Sequence, residues 1–192
     1  DKNVIEFVTV AAEFCAFLER AESMKRSTFV DTTLKILPLL YLKASMLPKC
    51  EMIGDESPET YVTEEIYEVL RINLASILVE KDDYLEVFLP DMAYSDEPIK
   101  KNISEDLADI YQDIKDFIFV FQLGLNETMN DSLAICQENF GLLWGQKLVN
   151  TMRALHDVKY SPKARGEDEE EEEYEPENNE DCHCEDDDCH CH

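Results

Sequence analysis

Four thiols and three imidazoles crowd the last eleven residues of this chain, as Cys182-His183-Cys184 and then Cys189-His190-Cys191-His192. His156 is the only one of the four histidines outside that group. Thiolate and imidazole are borderline-soft donors suited to Zn²⁺ or Cu(I). In an extended Cys-x-Cys both sulfurs project to one side, about two strand rises of ~3.3 Å apart, so a modest bend brings both onto one ion. Two such pairs complete a four-coordinate site with donors to spare. The spacing Cys-x-Cys-x4-Cys-x-Cys nevertheless departs from the Cys-x2-Cys pairs of folded zinc fingers, and the segment holds no apolar residue to pack around a metal. Asp186, Asp187 and Asp188 attract cations but also disfavour the thiolate form that a metal needs. The same residues also read as a compositionally biased tail that takes up metal or oxidises only in vitro.

Other groups are more dispersed. Asp91, Tyr94 and Asp96 fall between Pro90 and Pro98, where paired carboxylates held a few ångströms apart would do acid–base work; an Asx-type turn is the simpler expectation. Asp106, Asp109, Asp113 and Asp116 share one helical face, with Lys115 nearby. Such a stripe could bind a cation or a basic partner, and a solvated face is the expected reading. A di-metal carboxylate bundle would need Glu-x-x-His pairs, and none exists. His156-Asp157 suits a helix end as a cap; any Ser/His/Asp or Cys/His triad would have to use His156, and none is expected. Five glycines form no phosphate-cradling loop. An enzyme would require Asp91, Asp96, Lys43 or His156 to converge in a pocket. No catalytic or cofactor-binding residue is therefore assigned, and Zn²⁺ or Cu(I) at Cys182, His183, Cys184, Cys189, His190, Cys191 and His192 is the cofactor implied.

The 192 residues are 44% hydrophobic and carry 17 Lys and Arg against 44 Asp and Glu, a net charge of −27. Glu167 to Asp188 holds 15 carboxylates and no base, which leaves residues 1–162 with 29 acids, 15 bases and a net of −14. A chain this acidic lacks the Lys and Arg that neutralise phosphates, which excludes nucleic acid and anionic membrane surfaces as partners. No run approaches the ~18 apolar residues of a membrane span, and Asp1-Lys2-Asn3 does not begin a signal peptide. Cys15, Cys50 and Cys136 read as buried thiols in a reducing compartment, so a cytoplasmic location is expected.

Polar residues Glu6, Thr9, Glu13 and Arg20 at helical spacing predict a first helix from Asn3 to about Glu22. A second, capped by Ser27 or Thr28, runs to Met46 with a kink at Pro38 and a stop at Pro48. Gly54 to Tyr61 is a loop. Thr63 caps a third helix whose stripe is Ile66, Leu70, Leu74 and Ile77. Lys81 to Asn102 is irregular. Ser104 caps a fourth helix, in which Leu107, Ile110, Tyr111, Ile114, Phe117, Ile118, Phe121 and Leu125 step by three and four. A last helix spans Glu127 to His156 along Met129, Leu133, Cys136, Phe140, Leu143, Leu148, Met152 and Leu155. Gly141 and Gly145 within it suggest close approach of a neighbouring helix beside Trp144, itself expected in the core. With no convincing strand, this predicts an all-α bundle of five or six amphipathic helices over residues 1–160. Residues 161–192 follow as a disordered acidic tail ending in the Cys/His cluster, because too few apolar groups remain to offset ordering entropy.

Several blocks occur in an order that is fairly specific: residues 7–15 (FVTVAAEFC), 37–44 (LPLLYLKA), 91–96 (DMAYSD) and 144–149 (WGQKLV). Over residues 4–157 the chain resembles a small bacterial family of uncharacterised helical proteins, catalogued as a domain of unknown function. The resemblance implies an all-helical bacterial cytoplasmic protein and no chemistry. Two functional readings follow. The first is a protein-interaction module without catalytic activity, in which the helical body presents a groove or flat face to a partner while the acidic tail either keeps the chain soluble or engages a basic partner. The alternative is a metal-handling protein that uses the terminal Cys/His cluster.

Overall fold

The computed structural model describes residues 1–86 and 98–161. Its helices are α1 (Lys2–Glu19), α2 (Arg26–Ser45), α3 (Glu64–Leu78), α4 (Ile103–Gln122), α5 (Asn126–Asn139) and α6 (Gly145–Tyr160). Short 3-10 turns follow α1 and α3, and a π turn, Phe140–Trp144, joins α5 to α6 as one interrupted rod. The architecture is the expected all-helical one.

Helix α4 is the axis. It packs against α1, α3, α5 and α6, while α2 closes the bundle against α1 and α6. The uninterrupted apolar stripe explains this place, since a helix that buries one broad face on several neighbours gains most from the hydrophobic effect. Leu107, Ile110 and Ile114 are fully buried and join Phe7, Phe14, Leu37, Leu74, Trp144 and Leu155 in one core.

Several local expectations need correction. The irregular stretch contains an antiparallel ribbon, β1 (Asp83–Leu85) and β2 (Lys100–Asn102), with Tyr84 opposite Lys101. Residues 87–97 between the strands, Asp91, Tyr94 and Asp96 among them, lie outside the described residues. Ser27 and Thr28 do not cap α2, which starts at Arg26 without a side-chain cap, and α2 continues through Pro38. Thr63 does cap α3, accepting the Ile66 N–H at 3.2 Å. Ser104 does not cap α4 but sits inside its first turn, and the cap comes from Asp82 on the ribbon side.

The last predicted helix is divided by the π turn. Cys136, Trp144, Leu148 and Leu155 are buried along it, whereas Leu143, expected on the apolar line, is 52% exposed and Trp144 takes its place in the core. Gly145 is required by that turn and not by a neighbouring helix: its N–H bonds to the Phe140 carbonyl, and a Cβ there would stand 2.3 Å from the Phe140 oxygen. Gly141 has open space around it. At the end of α4, Gly124 takes φ +73°, the left-handed conformation that reverses the chain towards α5.

Candidate functional site

The aspartates expected on a solvated face of α4 are instead built into the protein. Asp106 is 3% exposed, and Asp109, Asp113 and Asp116 are half-buried. Each holds a different element. The Tyr84 hydroxyl of the ribbon donates to Asp106. Asp109 accepts from the Tyr67 hydroxyl of α3 at 2.7 Å and from the Lys147 ammonium of α6. Asp113 accepts from the Asn139 amide of α5 at 2.7 Å. One oxygen of Asp116 accepts the backbone N–H groups of Tyr61 and Val62, each at 2.7 Å, just ahead of α3. A stripe at i, i+3, i+7 and i+10 thus works as four tethers. The missed signal was the shortage of bases on its own helix: Lys115 is the only one, and it is bound to Glu19 of α1 at 2.6 Å.

The segment between α2 and α3 is strapped down by polar side chains of α5. Gln137 accepts the Cys50 N–H at 3.1 Å and donates to the carbonyls of Leu47 and Pro48. Asp131 accepts the N–H groups of Ile53 and Gly54 at 2.7 and 2.9 Å. The strap leaves a cleft of about 430 Å³ between Pro58–Thr60, α4, α5, the π turn and α6. Asp109, Asp113, Asp116, Glu59 and Lys147 supply its charges, and Phe117, Val120, Ile135 and Leu143 its apolar walls.

Its electrostatics favour an incoming cation. Burial pushes the Asp113 carboxyl above the ordinary range, the charges of Asp116 and Asp109 add to the rise, and the Asn139 bond only partly offsets it. Burial raises Asp116 too, against the pull of the two backbone N–H bonds. The second oxygen of each carboxylate has no hydrogen-bond partner among the described residues. Lys147 is committed to Asp109; burial pulls its ammonium down, but that bond and charge outweigh it, and it stays protonated. Beside the cleft, burial lifts Asp106 to about 6 against the pull of the Tyr84 bond.

Activated nucleophiles are not what this arrangement provides. Ser132 donates to the Met129 carbonyl at 3.0 Å. Cys136 is a buried free thiol that burial holds well above its ordinary pKa. Cys15 is also free and buried, pushed up to about 12, while Cys50 is half-buried. Among the described residues no three His, Cys, Asp or Glu side chains are grouped to hold a metal ion. Lys43 and His156 do not meet: Lys43 is bound to Glu6 at 2.6 Å, and His156 lines a separate groove between α2 and α6. Cys182, His183, Cys184, Cys189, His190, Cys191 and His192 lie outside the described residues. Among the described residues no helix is long and apolar enough to cross a membrane.

Comparison with known proteins places this geometry in a wider set. The family described as a domain of unknown function (DUF5063) matches residues 1–161. A structural-genomics crystal structure of protein BF1032 from Bacteroides fragilis is similar, with 92% sequence identity and a TM-score of 0.78, over 86% of this chain and 97% of that one. No curated protein matches the chain.

Proposed function

From the chain's membership of the family that shares domain of unknown function DUF5063, which comes with a helical scaffold and no named reaction, we propose that it is a protein-interaction module without catalytic activity, whose α4–α5–α6 cleft receives a basic side chain of its partner. One observation carries the reading. Asp113 and Asp116 are half-buried, each with a carboxylate oxygen unused among the described residues, beside apolar walls that suit the methylene stem of a Lys or Arg. Burial has raised both carboxyls, so an arriving ammonium or guanidinium would relieve a cost already present in the free protein.

The test must separate the cleft from the tail, whose 15 carboxylates also attract bases. A peptide carrying one Arg flanked by Leu residues is titrated into the full chain and into a chain lacking Glu167 to Asp188. Loss of binding in Asp113→Asn/Asp116→Asn, in both backgrounds, supports the cleft. Binding that follows the tail alone and ignores the double variant rejects it.

A second reading rests on the donor set at the end of the chain, with its four thiols and three imidazoles. In it, the segment Cys182–His192 buffers or delivers Zn²⁺ or Cu(I), and the helical body recognises the recipient. Native mass spectrometry with equimolar zinc, with and without residues 181–192, decides the matter. Equal uptake by both forms removes the tail as a metal site.

A further inference from the structure

From Ile36 to Leu42, helix α2 is apolar on both sides. Leu37, Leu40 and Ala44 face the core, whereas Pro38, Leu39, Tyr41 and Leu42 are exposed. A helical stretch that is hydrophobic all round is ordinarily covered all round. Beside the uncovered face runs a groove of about 460 Å³ between α2 and α6, with Leu34, Pro38, Tyr41, Val149 and Met152 along it and Arg153 and His156 at its edge.

The charges near this groove differ from those of the rest of the molecule. The body carries a net of −14, so two copies repel through most of their surfaces. Here Lys35 and Lys159 both engage Asp31, and Arg153 and Asp157 are exposed one turn apart on α6. Neither Arg153 nor Asp157 has a side-chain partner among the described residues. A base and an acid one helical turn apart form a self-complementary pair. A two-fold axis level with Leu155 sets two copies of α6 antiparallel, with Arg153 of each opposite Asp157 of the other. The same axis sets Tyr160 opposite Asn150, next to Val149. Tyr160 is half-exposed and packs against His156 at the groove's edge, with ring centroids 4.6 Å apart and the planes tilted by 42°. It is an aromatic anchor of the kind that fills such grooves.

We propose that the α2–α6 groove is the interface of a two-fold homodimer, closed by reciprocal Arg153–Asp157 ion pairs and by insertion of Tyr160 from the second copy. The contact is isologous, as a closed pair requires. An acidic amphipathic helix from a different protein is the competing occupant. It would use Arg153 but would have no use for Asp157.

Analytical ultracentrifugation of the full chain tests the proposal. The expected result is a dimer fraction that grows with protein concentration. Arg153→Asp alone and Asp157→Arg alone each weaken association about tenfold or more, because each replaces two attractive pairs with two repulsive ones. The double swap Arg153→Asp/Asp157→Arg restores the dimer, and Val149→Glu abolishes it. All three positions are at the surface, and unchanged melting verifies that each variant is folded. A wild-type chain that stays monomeric overturns the proposal, as does a dimer indifferent to Val149→Glu or a double swap that fails to restore association.

Discussion

Asp82 binds Ser104 twice, accepting its backbone N–H at 2.7 Å on one oxygen and its hydroxyl at 2.6 Å on the other. Both residues are buried, and the Ile103 N–H bonds to the Asp82 carbonyl at 2.8 Å. The central helix therefore starts from a carboxylate on the opposite side of the β ribbon. The negative charge also lies where the helix dipole favours it.

Replacing Asp82 with Ala removes this cap and strands the Ser104 hydroxyl in the interior. A loss of about 2 kcal/mol is expected from cap and orphaned donor together. Ser104→Ala keeps the backbone bond and costs about 1 kcal/mol. Urea denaturation of both single variants and the double variant checks this, and the double variant is expected to be little worse than Asp82→Ala alone.

Asp106 makes stability depend on pH in an unusual direction. Its folded pKa of about 6 lies above its ordinary value of 3.8. The folded state thus holds this proton more tightly than the unfolded chain does. That contribution is complete below the ordinary carboxylate range and is lost as pH rises through about 6, with an upper size of about 3 kcal/mol. Tyr84, Lys147, Lys101 and Asp109 are the groups acting on it. Asp31 and Asp131, whose pKa values are lowered, act oppositely and lose their contribution as pH falls. The informative quantity is therefore a difference: the stability of Asp106→Asn relative to wild type should rise between pH 4 and 7, by urea midpoint.

The two glycines of the last rod should respond in opposite ways to alanine. Gly145→Ala drives a Cβ against the Phe140 carbonyl at 2.3 Å and its ring at 2.9 Å, and about 2 kcal/mol or more of destabilisation follows. Gly141→Ala meets open space and should stabilise by about 1 kcal/mol through propensity alone. Thermal unfolding of the two variants side by side is sufficient.

Val79, at the end of α3, has φ +51° and ψ −120° while 62% exposed. A β-branched side chain is strained there, and little buried contact offsets it. Val79→Gly is expected to raise stability by about 1 kcal/mol despite the entropy of glycine, and Val79→Ala by less. A drop in the melting temperature of Val79→Gly would contradict this account.

Periodicity was enough to identify helices α1 to α4, the Thr63 cap and the all-helical class, because burial of an apolar stripe is a local pattern repeating every three to four residues. The π turn between α5 and α6, and the exposure of Leu143 within it, left no such mark. Which partner each carboxylate meets was invisible. Asp82 and Ser104 are separated by 22 positions, Asp116 and Val62 by 54, and Asp131 and Ile53 by 78. The shortage of bases on α4 hints that its acids are not a solvated face, but nothing in their neighbours along the chain says which group each one meets. The choice is made when four other helices, the ribbon and the segment ahead of α3 enclose α4 and its polar face has to be satisfied from them. Periodicity determined the helical class, and composition the charge and the Cys/His donors; only the packing decided that the aspartates of α4 became a cleft, because hydrogen-bond partners are selected by distance in space and not along the chain.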